Sequence, residues 1–226
     1  MIRLEVLPDA EALASRAAAM IGEAAEQAVA ARETFLWAAS GGSTPLATFR
    51  RLGLPWSRTQ TYQVDERVAP AEHRDRNLTT LRAALPPEGV ATLRPMPVEA
   101  GELEAAAASY ARSLPERFDV IHLGIGDDGH TASLVPGDPI LDERDRDVAV
   151  TGEYRGRRRM TLTYPMLDRA RRIVWIVAGA AKVDALGRLL AGDVSIPAGR
   201  VAADDQLVLA DVTAAPPGRD RHAPPC

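Results

Sequence analysis

The chain has 226 residues, of which 46% are hydrophobic and 26% charged, and it carries a formal net charge of −4. This length suits one large domain, because single hydrophobic cores stop growing at roughly 250 to 300 residues. The apolar content excludes a chain that is disordered throughout. The acidic balance argues against a general nucleic-acid binder, which needs a basic face for the phosphates, so we expect no nucleic-acid partner.

The single cysteine, Cys226, rules out an intrachain disulfide and a cysteine-based metal site. The first ten residues include Glu5 and Asp9 and contain no apolar run typical of a secretory signal. No stretch approaches the roughly 18 consecutive apolar residues that a membrane span needs. We therefore expect a cytoplasmic protein with no membrane partner.

Helical and strand-like patterns alternate along the chain. Asp9 is a typical N-cap before an alanine-rich amphipathic run, and Asn77 is a second candidate cap. In chain order, the pattern predicts a helix over 9–32, a strand over 34–39, a helix over 46–52, a strand over 59–64, helices over 78–85 and 101–114, a strand over 118–123, a charged loop over 138–147, strands over 160–163 and 172–178, a helix over 180–191 and a strand over 206–210.

This alternation predicts an α/β fold in a single domain, with a doubly wound, mainly parallel sheet and helices on both of its faces. We expect the domain to span 1–213 and the proline-rich segment 214–226 to be a disordered tail. Ligands of such sheets bind at the carboxyl ends of the strands. Four segments of unusual chemistry follow predicted strands, at 40–44, 65–67, 124–130 and 179–182.

The first of these segments, Ser40-Gly41-Gly42-Ser43-Thr44, lies between a predicted strand and a predicted helix. Glycines there let the backbone approach an anion, and the free N–H groups of a helix start point towards it. The segment therefore predicts a phosphate site, although a tight turn that needs glycine explains the same residues. It lacks the glycine-lysine-serine ending of a P-loop, which disfavours nucleotide hydrolysis.

The segment 124–129 matches the GxGxxG pattern of dinucleotide-binding proteins. That pattern needs a helix to open at its third glycine, whereas Pro136 leaves room for barely one or two turns, and Asp127 would repel a pyrophosphate. We favour a catalytic loop instead. Asp128 would orient the imidazole of His130 and raise its basicity, which is typical of a general base.

Charged residues at the other strand ends complete the candidate site. Asp65 and Arg67 follow an apolar strand directly, although a surface ion pair is the alternative. Lys182 is the only lysine among 27 basic residues, which suggests a position that needs a compact ammonium, and it starts a helix that could help bind phosphate. Arg159 and its arginine neighbours at 155, 157 and 158 could add an anion contact or belong to a solvated basic loop. No histidine and carboxylate set has metal-ligand spacing, and we expect neither metal nor cofactor.

The motifs together resemble those of the 6-phosphogluconolactonases. The sequence GIGDDGHTASLVPG at 124–137 is similar to the signature of that family, and it is supported in order by SGGSTP at 40–45, DERVAP at 65–70, RMTLTYPML at 159–167 and the glycine-lysine segment at 179–182. The similarity extends over about 9–211. It implies a fold similar to that of glucosamine-6-phosphate deaminase and a metal-free hydrolysis in the pentose phosphate pathway.

The resemblance also implies roles for single residues. His130 would be the general base, and Asp65 and Arg159 would line the sugar site. Arg76 stands where the family has a serine, beside Asn77, and Val135 replaces an aromatic residue. The implied phosphate ligands are Gly41, Gly42, Ser43, Thr44, Arg67 and Lys182.

Two other functions compete with the lactonase. A glucosamine-6-phosphate deaminase is expected to have a glutamate at the position of Val135 and a tyrosine at that of Arg67, so both residues favour the lactonase. A sugar-phosphate sensor of a regulator is disfavoured, because no segment remains for a DNA-binding region. The partner would then be a small sugar phosphate, bound by a monomer or a small homo-oligomer.

Overall fold

A computed structural model describes residues 2–218. Its centre is a seven-stranded sheet in which every neighbouring pair is parallel, in the order β1-β10-β9-β6-β2-β3-β5. The ten strands of the described residues are β1 Ile2–Leu7, β2 Phe35–Ala39, β3 Thr59–Gln63, β4 Asp65–Arg67, β5 Leu93–Arg94, β6 Val120–Leu123, β7 Val148–Val150, β8 Arg159–Leu162, β9 Ile173–Val177 and β10 Gln206–Asp211.

Helices pack on both faces of this sheet, each over its own hydrophobic cluster. One cluster joins Leu13, Trp37 and Phe49, and the other joins Tyr110 and Leu186 on the opposite face. The predicted fold class, a single α/β domain with a doubly wound and mainly parallel sheet, is confirmed. The α-helices are α1 Ala10–Arg32, α2 Leu46–Phe49, α3 Asn77–Ala84, α4 Pro87–Ala91, α5 Leu103–Ser113, α6 Tyr164–Asp168 and α7 Val183–Leu190.

The longest helix, α1, begins where the sequence predicts. The carboxylate of Asp9 accepts a hydrogen bond from the backbone N–H of Ala12 at 2.8 Å, which satisfies a free donor of the first turn. The helix ends at Arg32, and the left-handed backbone of the next residue, Glu33 (φ 61°), directs its N–H to the carbonyl of Val29. The position of the helix that covers one face of the sheet therefore follows from capping residues in the local sequence.

A second sheet was not predicted. Strands β4, β8 and β7 form an antiparallel sheet of three, in which Arg67 lies opposite Arg159 and Asp65 opposite Thr161. The expectation that 65–67 merely follows a strand was therefore incomplete, because these residues form a short strand of their own. This pairing brings two segments that are far apart in sequence to one place.

Several predicted boundaries were wrong. The helix predicted over 46–52 ends at Phe49, because Gly53 and Pro55 soon turn the chain away. Asn77 is the first residue of α3 and does not cap it, since Arg76 occupies that position. Lys182 ends a short 3₁₀ helix and precedes α7, so the helix predicted over 180–191 begins later.

The chain remains packed beyond residue 213. The side chain of Ala214 is buried, and its N–H donates to the carboxylate of Asp211 at 2.8 Å. Of the predicted tail, 219–226 lie outside the described residues. Within 2–218, no helix combines the length and apolar character that crossing a membrane requires.

Candidate active site

A cavity of about 350 Å³ opens at the carboxyl ends of β2, β6 and β9. All four segments that the sequence singled out contribute to its wall. The predicted site residues that line it are Gly41, Gly42, Ser43, Thr44, Asp65, Arg67, His130, Arg159 and Lys182. The topology therefore brings together residues that are spread over more than half of the chain.

His130 and Asp128 form a hydrogen-bonded pair at this cavity. Nδ1 of His130 lies 2.5 Å from Oδ1 of Asp128, and the backbone N–H of His130 donates to the same oxygen at 3.1 Å. Since Nδ1 carries the proton towards the carboxylate, Nε2 of a neutral ring holds the lone pair. This is the tautomer that a general base needs at Nε2.

Asp128 stays ionised over the whole range in which an imidazole titrates. Partial burial raises the pKa of its carboxyl group, but hydrogen bonds from the backbone and ring of His130 and from the hydroxyl of Tyr154 outweigh this and lower the pKa to about 2. The Tyr154 hydroxyl donates to Oδ2 of Asp128 at 2.8 Å. A permanent negative charge therefore lies beside His130.

The glycine before this pair has a steric reason. A Cβ atom at Gly126 would lie 2.1 Å from Nδ1 of His130 and 2.5 Å from Oδ1 of Asp128. These distances leave no room for any side chain at this position. The N–H of Gly126 also donates to the carbonyl of His130 at 2.8 Å. The GxGxxG pattern thus forms a tight loop around the imidazole, and no helix begins at its third glycine, Gly129.

The carboxylate of Asp65 is held in place from two sides. Asn77 donates from Nδ2 to Oδ1 at 2.9 Å, and Ser133 donates from Oγ to Oδ2 at 2.6 Å. The residue is 4% exposed and still lines the cavity. Its fixed orientation suits a group that contacts the hydroxyls of a ligand.

Four basic residues line the cavity, against the two acidic residues Asp65 and Asp127. Burial lowers the pKa of Arg159, and the nearby Asp65 opposes this while Arg67 adds to it. Arg67 and Arg159 lie opposite each other on β4 and β8, so a bound anion would offset the repulsion between them. The basic residues of the wall are Arg67, Arg155, Arg159 and Lys182.

The segment 40–44 forms the wall at the end of β2. Gly41 packs against Asn77 so closely that a Cβ atom would lie 2.1 Å from Oδ1 of that side chain. Gly42, Ser43 and Thr44 are exposed at the cavity, where their backbone and hydroxyl groups are open to a ligand. The segment leads into α2, which has only one turn, so the loop itself provides most of the surface.

Buried polar atoms without partners concentrate at this cavity. Six buried side-chain N or O atoms of the described residues make no hydrogen bond, and four of them belong to residues of the cavity wall. Such groups are costly to bury unless a ligand or water satisfies them. The four are Nε of Arg67, Oδ1 of Asn77, Nε2 of His122 and Nε of Arg159.

His122 lies behind the wall of the cavity, where it is both buried and in contact with the 40–44 segment. It is 1% exposed at the end of β6, and its Nδ1 accepts from the N–H of Ser40 at 3.3 Å. Burial lowers its pKa to about 3, so the ring is neutral at physiological pH. It supports the backbone of the 40–44 segment.

Glu66, the middle residue of the Asp-Glu-Arg motif, is structural. It is fully buried, and its carboxylate accepts from the N–H groups of Asn77 and Leu78 at 2.7 and 2.8 Å, which satisfies the start of α3. Oε2 also lies 3.2 Å from Nε of the buried Arg76. Arg76, which departs from the serine of the family pattern, is therefore paired with Glu66 inside the fold.

Sequence reasoning missed Ser133 and Tyr154, and it considered Arg155 only as a neighbour of Arg159. Ser133 anchors Asp65, Tyr154 anchors Asp128, and Arg155 lines the cavity from the turn between β7 and β8. The local sequence carries no signal for Ser133 or Tyr154, since both act on residues more than twenty positions away. Arg155 belongs to a visible basic run, but its place at the cavity depends on the unpredicted second sheet.

The fold and the site define an α/β protein with a basic cavity for a small phosphorylated or otherwise anionic ligand. The family model described as glucosamine-6-phosphate isomerases/6-phosphogluconolactonase matches residues 8–209. The chain belongs to this family. A 6-phosphogluconolactonase from Synechocystis sp. is 37% identical to it over 207 residues, which are 84% of this chain and 85% of that protein.

Solved structures agree with this placement. The crystal structure of a 6-phosphogluconolactonase from Shewanella baltica has a TM-score of 0.85 and 26% identity, covering 93% of this chain and 98% of that one. A monomeric glucosamine-6-phosphate deaminase has a TM-score of 0.82 at 18% identity, covering 94% and 98%. The second likeness shows the fold alone, so the fold does not separate the two activities.

Proposed function

We propose that this chain hydrolyses 6-phosphoglucono-1,5-lactone to 6-phosphogluconate, a reaction of the pentose phosphate pathway, with His130 as the general base. The observation that carries the proposal is the pairing of a base with a basic wall in one cavity. The Asp128–His130 pair supplies the base, and Arg67, Arg159 and Lys182 supply the charge for a phosphate. The lactonase relatives and the motifs support the same substrate.

The chemistry needs little more than a positioned base. Nε2 of His130 accepts a proton from water as the water oxygen attacks the lactone carbonyl carbon, which gives a tetrahedral oxyanion. When the bond from that carbon to the ring oxygen breaks, the imidazolium returns the proton to the leaving oxygen. General acid–base help of this kind is worth about 100- to 10,000-fold. The basic wall favours the developing negative charge.

Substrate positioning falls to the remaining groups. We assign the phosphate to Gly41, Gly42, Ser43 and Thr44, together with Arg67 and Lys182, because these groups are open at the cavity. Asp65 and Arg159 would contact the sugar ring. Holding the remote phosphate keeps the carbonyl carbon in place for attack. We propose no metal or cofactor for this reaction; within residues 2–218 no group of three or more His, Cys, Asp or Glu side chains could hold a metal ion.

The deaminase alternative has weaker support. Val135, at the position where a deaminase is expected to carry a glutamate, is buried and apolar. Arg67 contributes a cation where a tyrosine is expected. The site thus has a base and a basic wall, but it has a valine in place of the glutamate that a deaminase is expected to carry.

We also propose the cytoplasm as the compartment, supported by the single cysteine.

The variant His130→Asn tests the proposal. Asparagine is polar and of similar bulk but cannot act as a base, so turnover should fall by about 100-fold or more while folding is kept. Initial rates on freshly made lactone, corrected for spontaneous hydrolysis, and thermal melts would measure both. His73→Asn is the matched control, because His73 does not line the cavity. A folded His130→Asn protein with more than a tenth of wild-type turnover would place the base elsewhere, with Asp65 the next candidate.

A further inference from the structure

Tyr154 stands at the end of a chain of hydrogen bonds that leads to the proposed base. Its hydroxyl donates to Oδ2 of Asp128 at 2.8 Å, and the other oxygen of Asp128 accepts from His130. The rings of Tyr154 and His130 also contact edge to face, with centroids 5.7 Å apart. Tyr154 therefore contacts both members of the pair.

The hairpin between β7 and β8 fixes the position of Tyr154. Tyr154 and Arg157 pair through backbone bonds of 3.0 and 3.3 Å on either side of a two-residue turn. Arg155 and Gly156 fill that turn with left-handed φ angles of 51° and 75°, as in the tight turns that join antiparallel strands. A rigid element of the second sheet thus carries the hydroxyl to the loop that holds His130.

Two arginines hold the ring of Tyr154 from its faces. The guanidinium carbon Cζ of Arg159 lies 5.0 Å from the ring centroid, and that of Arg155 lies 5.1 Å away. Such contacts are stronger where water is partly excluded. The ring is therefore positioned independently of its hydroxyl, which allows the two to be tested apart.

Asp128 needs this third residue. Its side chain is 34% exposed on a glycine-rich loop, and its other described hydrogen bonds both come from His130. Without a bond at Oδ2, nothing outside the loop would define the rotation of the carboxylate. Burial and the bond to Asp128 both raise the pKa of Tyr154, so the hydroxyl keeps its proton and remains a donor.

We propose, on the basis of the proposed function, that Tyr154 is a positioning residue for the reaction. Its hydroxyl holds Asp128, and Asp128 in turn holds the ring of His130 with Nε2 free for the water. The bond also moderates the negative charge that Asp128 presents to the imidazole. A carboxylate that loses a donor attracts the proton at Nδ1 more strongly and favours the imidazolium.

The substitution Tyr154→Phe removes the hydroxyl and keeps the ring. We expect kcat to fall about tenfold with little change in KM, because positioning is lost while the phosphate contacts remain. We also expect the midpoint of the acid limb of the kcat profile to move to higher pH by about half a unit. The substitution itself removes none of the charged groups at this cavity, which are Asp65, Arg67, Asp127, Asp128, Arg155, Arg159 and Lys182.

The matched control is Tyr62→Phe, which removes a buried hydroxyl that bonds to Gln60 and Ser113 away from the cavity. It should leave the profile unmoved. The ring nitrogens of His130, followed by NMR through the same pH range, give a readout that does not depend on turnover. Their titration should shift with the kinetic midpoint in Tyr154→Phe.

Three outcomes would overturn the inference: an unchanged kcat, a fall in kcat with an unmoved midpoint, or an unmoved His130 titration. Failure of the proposed function is a separate result. If His130→Asn keeps its turnover, His130 is not the base whatever Tyr154→Phe does. The NMR titration would then still report whether Tyr154 acts on His130 through Asp128.

Discussion

The environment of His122 shows how one buried residue links the site to stability. The ring centroids of His122 and Phe49 lie 5.4 Å apart, edge to face, and burial lowers the pKa of His122 to about 3. The ordinary value in an unfolded chain is about 6.5. Below that pH the unfolded chain binds a proton that the folded protein does not.

This difference fixes the sign of a pH effect. The contribution of His122 to stability should be fully present above about pH 6.5 and be lost as the pH falls from there towards 3, reaching a loss of about 2 kcal/mol by pH 5. In His122→Asn, which keeps a polar acceptor near Nδ1, that share of the slope should vanish. Urea unfolding at pH 7.5 and 5 measures it. An equally steep slope in the variant would show that His122 is charged or exposed in the fold.

Arg76 is a second residue whose role follows from the fold and not from the local sequence. It was noted only as a departure from an expected serine, and nothing local indicated a partner. In the fold it is 2% exposed and pairs with Glu66, while its Nη1 donates to Glu99 at 2.8 Å. This departure from the family pattern therefore belongs to the support of the site.

At the scale of elements, the start of α3 depends on Glu66. Glu66 accepts from the first two N–H groups of α3 and from Gln63 while it faces Arg76. Because α3 carries Asn77, which anchors Asp65 and packs on Gly41, this helix start orients two walls of the cavity.

Removing the charge of Glu66 should therefore destabilise the protein strongly. We expect Glu66→Gln to cost about 3 to 5 kcal/mol, because it leaves the buried Arg76 without its main countercharge. The double variant Glu66→Gln/Arg76→Met should recover part of that loss, which a double-mutant cycle of unfolding free energies would measure. Additive losses in the cycle would mean that the two side chains do not interact.

The elements that sequence reasoning found are those with strong local signals. The helix after Asp9 has its own N-cap and a helical pattern of apolar residues, and β6 lies in a largely apolar run. Both elements were therefore placed well. Strands β4 and β7 have three residues each and pair only through β8, so no local pattern marks them. The edge strand β1 does alternate apolar and charged residues from Ile2 to Val6, and that signal was overlooked.

The same distinction explains the site. Segments at the ends of parallel strands were predicted to converge because topology requires it, and they do so. The supports of the site, Ser133 and Tyr154, lie on or beside elements whose position follows from long-range packing. A motif can therefore indicate which groups react, while the groups that orient them emerge only from the fold.

At the scale of the whole molecule, an acidic protein holds a basic cavity. The chain has a net charge of −4, whereas four basic side chains and only two acidic ones line the cavity at the strand ends. Such a contrast concentrates the field at one place and favours an anionic ligand there. The central claim is that this place binds the phosphate of a lactone while His130 acts at the carbonyl.

The most direct test compares freshly made 6-phosphogluconolactone with the unphosphorylated lactone, using wild type, Arg67→Ala and Lys182→Ala, with the exposed Arg112→Ala as control. Each lost charge-assisted contact should cost about 1.5 to 3 kcal/mol in kcat/KM for the phosphorylated substrate only. Wild type and Arg112→Ala should strongly prefer that substrate. Equal rates on both lactones in wild type, or equal losses on both in the variants, would contradict the account.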